Sequence, residues 1–121
     1  MNIPADMYAA VVKSPENIQT EKIPVPLPGP DEVLIKVESC AVCSTDLSLI
    51  STPAPGQQEF GRFIPGHEYS GTIAAKGECV DEIEIGDRVA VEVHKGCGRC
   101  ANCRKGLYTC CLNWGNLKRG H

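Results

Sequence analysis

The sequence predicts a mainly β protein: a small, partly open β-barrel with one short helix and a separate cysteine-rich lobe. Three observations lead there. Short apolar runs alternate with turn signals along most of the chain. Twelve Gly and nine Pro stand beside only 5% aromatic residues, which favours short strands and turns over long helices. Charge also changes character near His94. Residues 1–93 carry 6 basic and 15 acidic side chains, whereas 94–121 hold Lys95, Arg99, Arg104, Lys105, Lys118 and Arg119, no acid, and five of the eight cysteines.

The first predicted strand is Met7 to Lys13. Ile23 to Asp31 contains four prolines and reads as an extended connector, because proline lacks the donor a helix or central strand needs. In Glu32 to Cys40, Val33, Ile35 and Val37 share one face and Lys36 and Glu38 the other, the period of a half-buried strand. Ser44 to Ile50 reads as a short helix with Ser44 or Thr45 as N-cap. Ser51 to Gly66 is a loop rich in Pro and Gly, and Tyr69 to Ala75 a further strand. Ile85-Gly86-Asp87 turns into Arg88 to Val93, where Val89, Val91 and Val93 alternate with Arg88, Ala90 and Glu92.

The 121 residues suffice for one domain with a modest core. A net charge of −3 argues against a general nucleic-acid or membrane-surface binder. No segment approaches the roughly 18 apolar residues of a membrane span. The N-terminal residues lack the pattern of a secretory signal, so a cytoplasmic location is expected. Clustered cysteines in such a chain point to metal or chemistry rather than disulfides.

Cys97, Cys100, Cys103 and Cys111 are spaced C-x2-C-x2-C-x7-C. Four thiolates around Zn²⁺ form a closed structural site, and the lobe's positive charge would offset its formal −2. Gly96, Gly98 and Gly106 ease the tight turning such a loop requires. From spacing alone, Cys110 could replace Cys111 as fourth ligand. Disulfides or idle thiols are the plainer alternative. Gly96-x-Gly98-x-x-Ala101 fits a dinucleotide fingerprint, but its interior consists of the proposed ligands and no βαβ unit surrounds it. A nucleic-acid zinc ribbon would use two separated cysteine pairs, not one short loop.

Cys40-Ala41-Val42-Cys43 has C-x-x-C spacing without the βαβ setting of a redox pair. His67 follows a Pro-Gly turn, which is ordinary for a surface histidine. Thr45 and Asp46 suit helix capping, and Glu68 could be an ordinary solvated carboxylate. Cys40 and Cys79 read as small buried or idle thiols.

Taken together, these residues resemble the zinc-containing alcohol dehydrogenases of the medium-chain dehydrogenase/reductase superfamily. Gly66-His67-Glu68-x-x-Gly71-x5-Gly77-x-x-Val80 is similar to that family's zinc signature, and Cys43-Ser44-Thr45-Asp46 to its first catalytic-ligand motif. The cysteine lobe and Gly86-Asp87-Arg88-Val89 follow in the family's order, from about Tyr8 to Asn113. The resemblance is strongest to polyol and secondary-alcohol dehydrogenases. It implies a GroES-like barrel over residues 1–121, with a structural-zinc lobe over 94–113. It also implies two zinc ions. Cys97, Cys100, Cys103 and Cys111 would hold the structural one, which favours Cys111 over Cys110. Cys43 and His67 would bind the catalytic one, with Glu68 as an alternate or outer ligand. Thr45 would relay the substrate proton and Asp46 would orient His67. Ser44 and Ser48 stand where some relatives carry a cofactor-binding basic residue and a relay histidine, so neither supports such a role.

The implied activity is oxidation of a small alcohol or polyol, with zinc as Lewis acid and NAD or NADP as acceptor. The family's nicotinamide-binding Rossmann half and third catalytic ligand are not in these 121 residues. The chain alone is therefore expected to be inactive, with full-length relatives forming homo-oligomers. The alternative is a stand-alone zinc-binding module without catalysis.

Overall fold

The computed structural model describes residues 2–52 and 58–114. Part of the predicted 51–66 loop, together with Lys118, Arg119 and His121, lies outside them. Five strands and one helix follow in order: β1 (Asp6–Ser14), β2 (Asn17–Pro24), β3 (Val33–Ala41), α1 (Ser44–Ser51), β4 (Glu68–Lys76) and β5 (Arg88–Ala90). The fold is mainly β, as the sequence predicts, with two antiparallel sheets ordered β1-β2 and β3-β4-β5.

The apolar run of β1 supplies Val11 and Val12, and β4 supplies Ile73 and Ala74; these buried side chains form the core. β2 was not foreseen, because Asn17 to Lys22 is polar and exposed, with no alternation to reveal it. It forms by hairpin closure onto β1, pairing Ser14 with Asn17 and Asp6 with Pro24. The predicted connector therefore begins later than its prolines suggest. Ile23 and Pro24 end β2, where a proline on an edge strand costs no ladder bond. Glu16 at the hairpin tip has φ 60°, and its amide donates to the Ile50 carbonyl at 2.9 Å, which fastens the hairpin to α1.

Two further expectations change. β3 is less buried than its alternation suggests: Val33 and Ile35 are half-buried but Val37 is 53% exposed, and the ladder shifts register at Ala74 of β4 and at Glu38 of β3. β5 stops at Ala90 rather than Val93. Its partner β4 begins at Glu68, and the last ladder-like bond runs from the Val91 amide to the Tyr69 carbonyl. At Gly71 the backbone of β4 presses against the Lys36 carbonyl, leaving no room for a Cβ. Among the described residues no helix is long and apolar enough to cross a membrane.

Candidate metal centres

The β3–β4 ladder creates the first site. Ala41, the last residue of β3, pairs with Glu68, the first of β4. Cys43 lies two residues beyond one end and His67 one residue before the other, so both emerge at the same edge. Gly66 has φ +96°, a conformation that suits glycine, and Cys40 Sγ packs where its Cβ would stand. One donor atom each from Cys43, His67 and Glu68 falls within 4.8 Å of the others. Sulfur, imidazole nitrogen and carboxylate oxygen at such separations match the three protein donors of an open zinc site.

Asp46 organises this edge. Cys43, not Ser44 or Thr45, is the N-cap of α1. Its amide donates to Asp46 Oδ2 at 2.9 Å, and the Asp46 amide donates to the Cys43 carbonyl at 3.0 Å. Both hydroxyl side chains thereby lose the expected capping role, because the carboxylate one turn on reaches back instead. The other oxygen, Oδ1, is buried without an aligned hydrogen bond and lies 3.3 Å from His67 Nδ1. A buried anionic oxygen facing the imidazole favours positive charge there, whether from a proton or a metal ion. Thr45 Oγ1 lies 3.5 Å from Cys43 Sγ. Bonds from the Thr45 hydroxyl and amide, and then from His67, hold the Cys43 thiol below its usual range. Hydrogen bonding to Cys43 raises His67, opposed by desolvation and assisted by Asp46. Glu68 is exposed.

The second site is local. Cys97, Cys100, Cys103 and Cys111 bring their sulfurs within 4.8 Å of one another around two 3-10 turns, Cys103–Lys105 and Tyr108–Cys110. Cys111 is buried and belongs to the cluster, whereas Cys110 is exposed. Backbone amides point at the sulfurs: Cys100 to Cys97 at 3.4 Å, Cys103 to Cys100 at 3.4 Å, Cys97 to Cys111 at 3.5 Å and Asn113 to Cys111 at 3.3 Å. The Asn113 side-chain amide adds a bond to Cys97 Sγ at 3.1 Å. N–H donors converging on sulfur suit thiolates, the form in which cysteine binds metal. The Cys97 thiol is pulled down to about 5, first by Asn113. Bonds from the Cys103 and Leu112 backbones lower Cys100. Desolvation, then Cys100, pushes Cys103 up to about 12. Four cysteine sulfurs within 4.8 Å of one another are the donor set of a closed zinc site, so the residues present fit that ion.

Asn113 carried no sequence signal, since an asparagine two residues after a cysteine is commonplace. Tyr108 donates its hydroxyl to Glu92 at 2.9 Å and ties the lobe to the chain entering it. His94 lies against Trp114, ring centroids 5.4 Å apart, and joins neither cluster. Cys40 and Cys79 are exposed rather than buried.

Residues 29–121 match the alcohol dehydrogenase GroES-like domain. The chain belongs to this family. The GroES-like chain is 44% identical over 110 residues to sorbitol dehydrogenase of Bacillus subtilis, covering 90% of this chain and 31% of that protein. It is 44% identical over 99 residues to L-threonine 3-dehydrogenase of Stenotrophomonas maltophilia, covering 81% and 29%. Its fold matches the cobalt- and zinc-bound thermostable alcohol dehydrogenase of Pyrobaculum aerophilum with a TM-score of 0.81 and 31% identity, over 91% of this chain and 33% of that one. This GroES-like chain thus spans about a third of the length of the relatives it matches.

Proposed function

We propose that this chain is the zinc-bearing part of the catalytic domain of an NAD(P)-dependent dehydrogenase acting on a small alcohol or polyol. The observation that carries the reading is the convergence of Cys43, His67 and Glu68 at one strand edge, with Asp46 behind them. The relatives named for sorbitol and L-threonine support a hydroxyl-bearing substrate. In this reading residues 1–121 form the GroES-like unit and 94–113 its structural lobe.

Cys43 and His67 hold the catalytic zinc, and Glu68 serves as a third or alternate ligand. When bound, that ion supplies Lewis acidity that makes an alcohol hydroxyl easier to deprotonate. Thr45 can both accept and donate a proton and so moves the hydroxyl proton away from the substrate. Asp46 keeps the imidazole oriented. Cys97, Cys100, Cys103 and Cys111 hold a second zinc whose role is folding. The nicotinamide acceptor, NAD or NADP, is bound by other parts of the enzyme. The 121 residues alone should therefore give no turnover and no saturable NAD heat in calorimetry. In this reading the working enzyme is a cytoplasmic homo-oligomer.

Metal analysis tests the assignment. The chain should retain one tightly held zinc and take up a second, exchangeable ion. Cys43→Ser should abolish the second and spare the first. Loss of both together, or no second ion in the unaltered chain, would leave a metal-clipped module without chemistry.

A further inference from the structure

We propose that Asn113 is a positioning residue of the four-cysteine centre, clasping its first and last ligands so that the 15-residue loop closes on the ion. The inference rests on reading that cluster as a metal centre. The side-chain amide of Asn113 donates to Cys97 Sγ at 3.1 Å, shorter than the backbone contacts from Cys97, Cys100, Cys103 and Asn113 onto the cluster. Its backbone amide donates to Cys111 Sγ at 3.3 Å. One residue thus bridges the two ends of the ligand series, beside the Cys97 amide, which donates to Cys111 Sγ at 3.5 Å.

The physical argument concerns charge and closure. Four thiolates around a divalent ion leave net negative charge on sulfur. An N–H aimed at a sulfur withdraws part of it without competing for the metal. Backbone amides supply this at Cys97, Cys100 and Cys111 from within the loop. Asn113 does so with its side chain, a donor that substitution can remove while the main chain stays intact. Its position after Cys111 also matters. The side chain can reach Cys97 only once the last ligand has folded back onto the first.

Two variants separate a donor from a space-filler. Asn113→Asp keeps the shape, removes the donor and adds repulsion. Asn113→Ala removes donor and volume together. Purified chains loaded with zinc are challenged with a chelator, and cobalt-loaded chains are read by their sulfur-to-cobalt charge-transfer bands. For a donor, Ala weakens metal retention about 10-fold and Asp at least as much. The charge-transfer band moves to longer wavelength in both, because sulfur electrons are held less tightly. Complete failure of either variant to hold metal counts as the extreme of the same loss. Wild-type retention and band position in Asn113→Asp, with or without loss in Asn113→Ala, overturns the proposal in favour of packing or no role. An unaltered chain without tight metal would instead overturn the reading of the lobe itself.

Discussion

At Asp46 a single carboxylate meets two demands that sequence spacing keeps apart. One oxygen caps the first turn of α1 through the Cys43 amide; the other faces His67 Nδ1 from a chain position 21 residues away. Substitutions should split the two roles. Asp46→Asn can still accept from the Cys43 amide but presents no full negative charge to the imidazole. It should unfold within about 1 kcal/mol of the parent in urea, while its affinity for the second metal ion falls about 10-fold or more. Asp46→Ala loses both functions. Its stability should drop by about 1–3 kcal/mol, as expected when a charged hydrogen bond is removed from a part-buried amide. Equal metal binding by Asn and parent would show that the carboxylate acts only as a cap.

At the scale of elements, β4 is the beam that carries the site. It pairs with β3 along most of its length and with β5 at Ser70–Thr72, and its first residue is Glu68. Gly71 lets β3 and β4 approach closely beside the Lys36 carbonyl. Gly71→Ala should cost about 1–3 kcal/mol by forcing the backbones apart, seen as a lower urea midpoint. Metal uptake at the Cys43 edge should weaken with it. The lobe is a separate element with its own source of order. Cys100→Ser should abolish the tight zinc and expose the lobe amides to rapid hydrogen exchange, while those of β3 and β4 stay protected. Protection retained in the lobe would mean that something other than metal holds it.

For the whole molecule, an open apolar groove of about 540 Å³ lies between the two sheets, lined by Tyr8, Val37, Ile64 and neighbouring side chains. Tyr8 is 77% exposed and Ile64 41%, so apolar side chains of the groove face outward among the described residues. The isolated chain should therefore bind an apolar dye such as ANS, and Ile64→Lys should reduce that fluorescence without disturbing the tight zinc. Undiminished dye binding would place the apolar surface elsewhere. The partly open barrel was legible in the short strands and turns. The groove was not, because Ile35 and Val37 share a face and both line it, and what stands opposite them comes from β1 and the 64–66 turn, distant in the chain.

The sequence by itself determined what is local. Cys97, Cys100 and Cys103 share one short loop, so spacing alone gathers their sulfurs, and the apolar periods of β1 and β4 mark the core strands. Tertiary structure decided what depends on register. Cys43 meets His67 only because Ala41 pairs with Glu68, a pairing selected by core packing across a long loop. Cys111 rather than Cys110 turns inward for the same reason: adjacent side chains diverge, and the fold of the lobe chooses between them. Spacing constrains neighbours in the chain through bond geometry. Contacts between distant segments follow from how two surfaces pack, and no single stretch of sequence contains both.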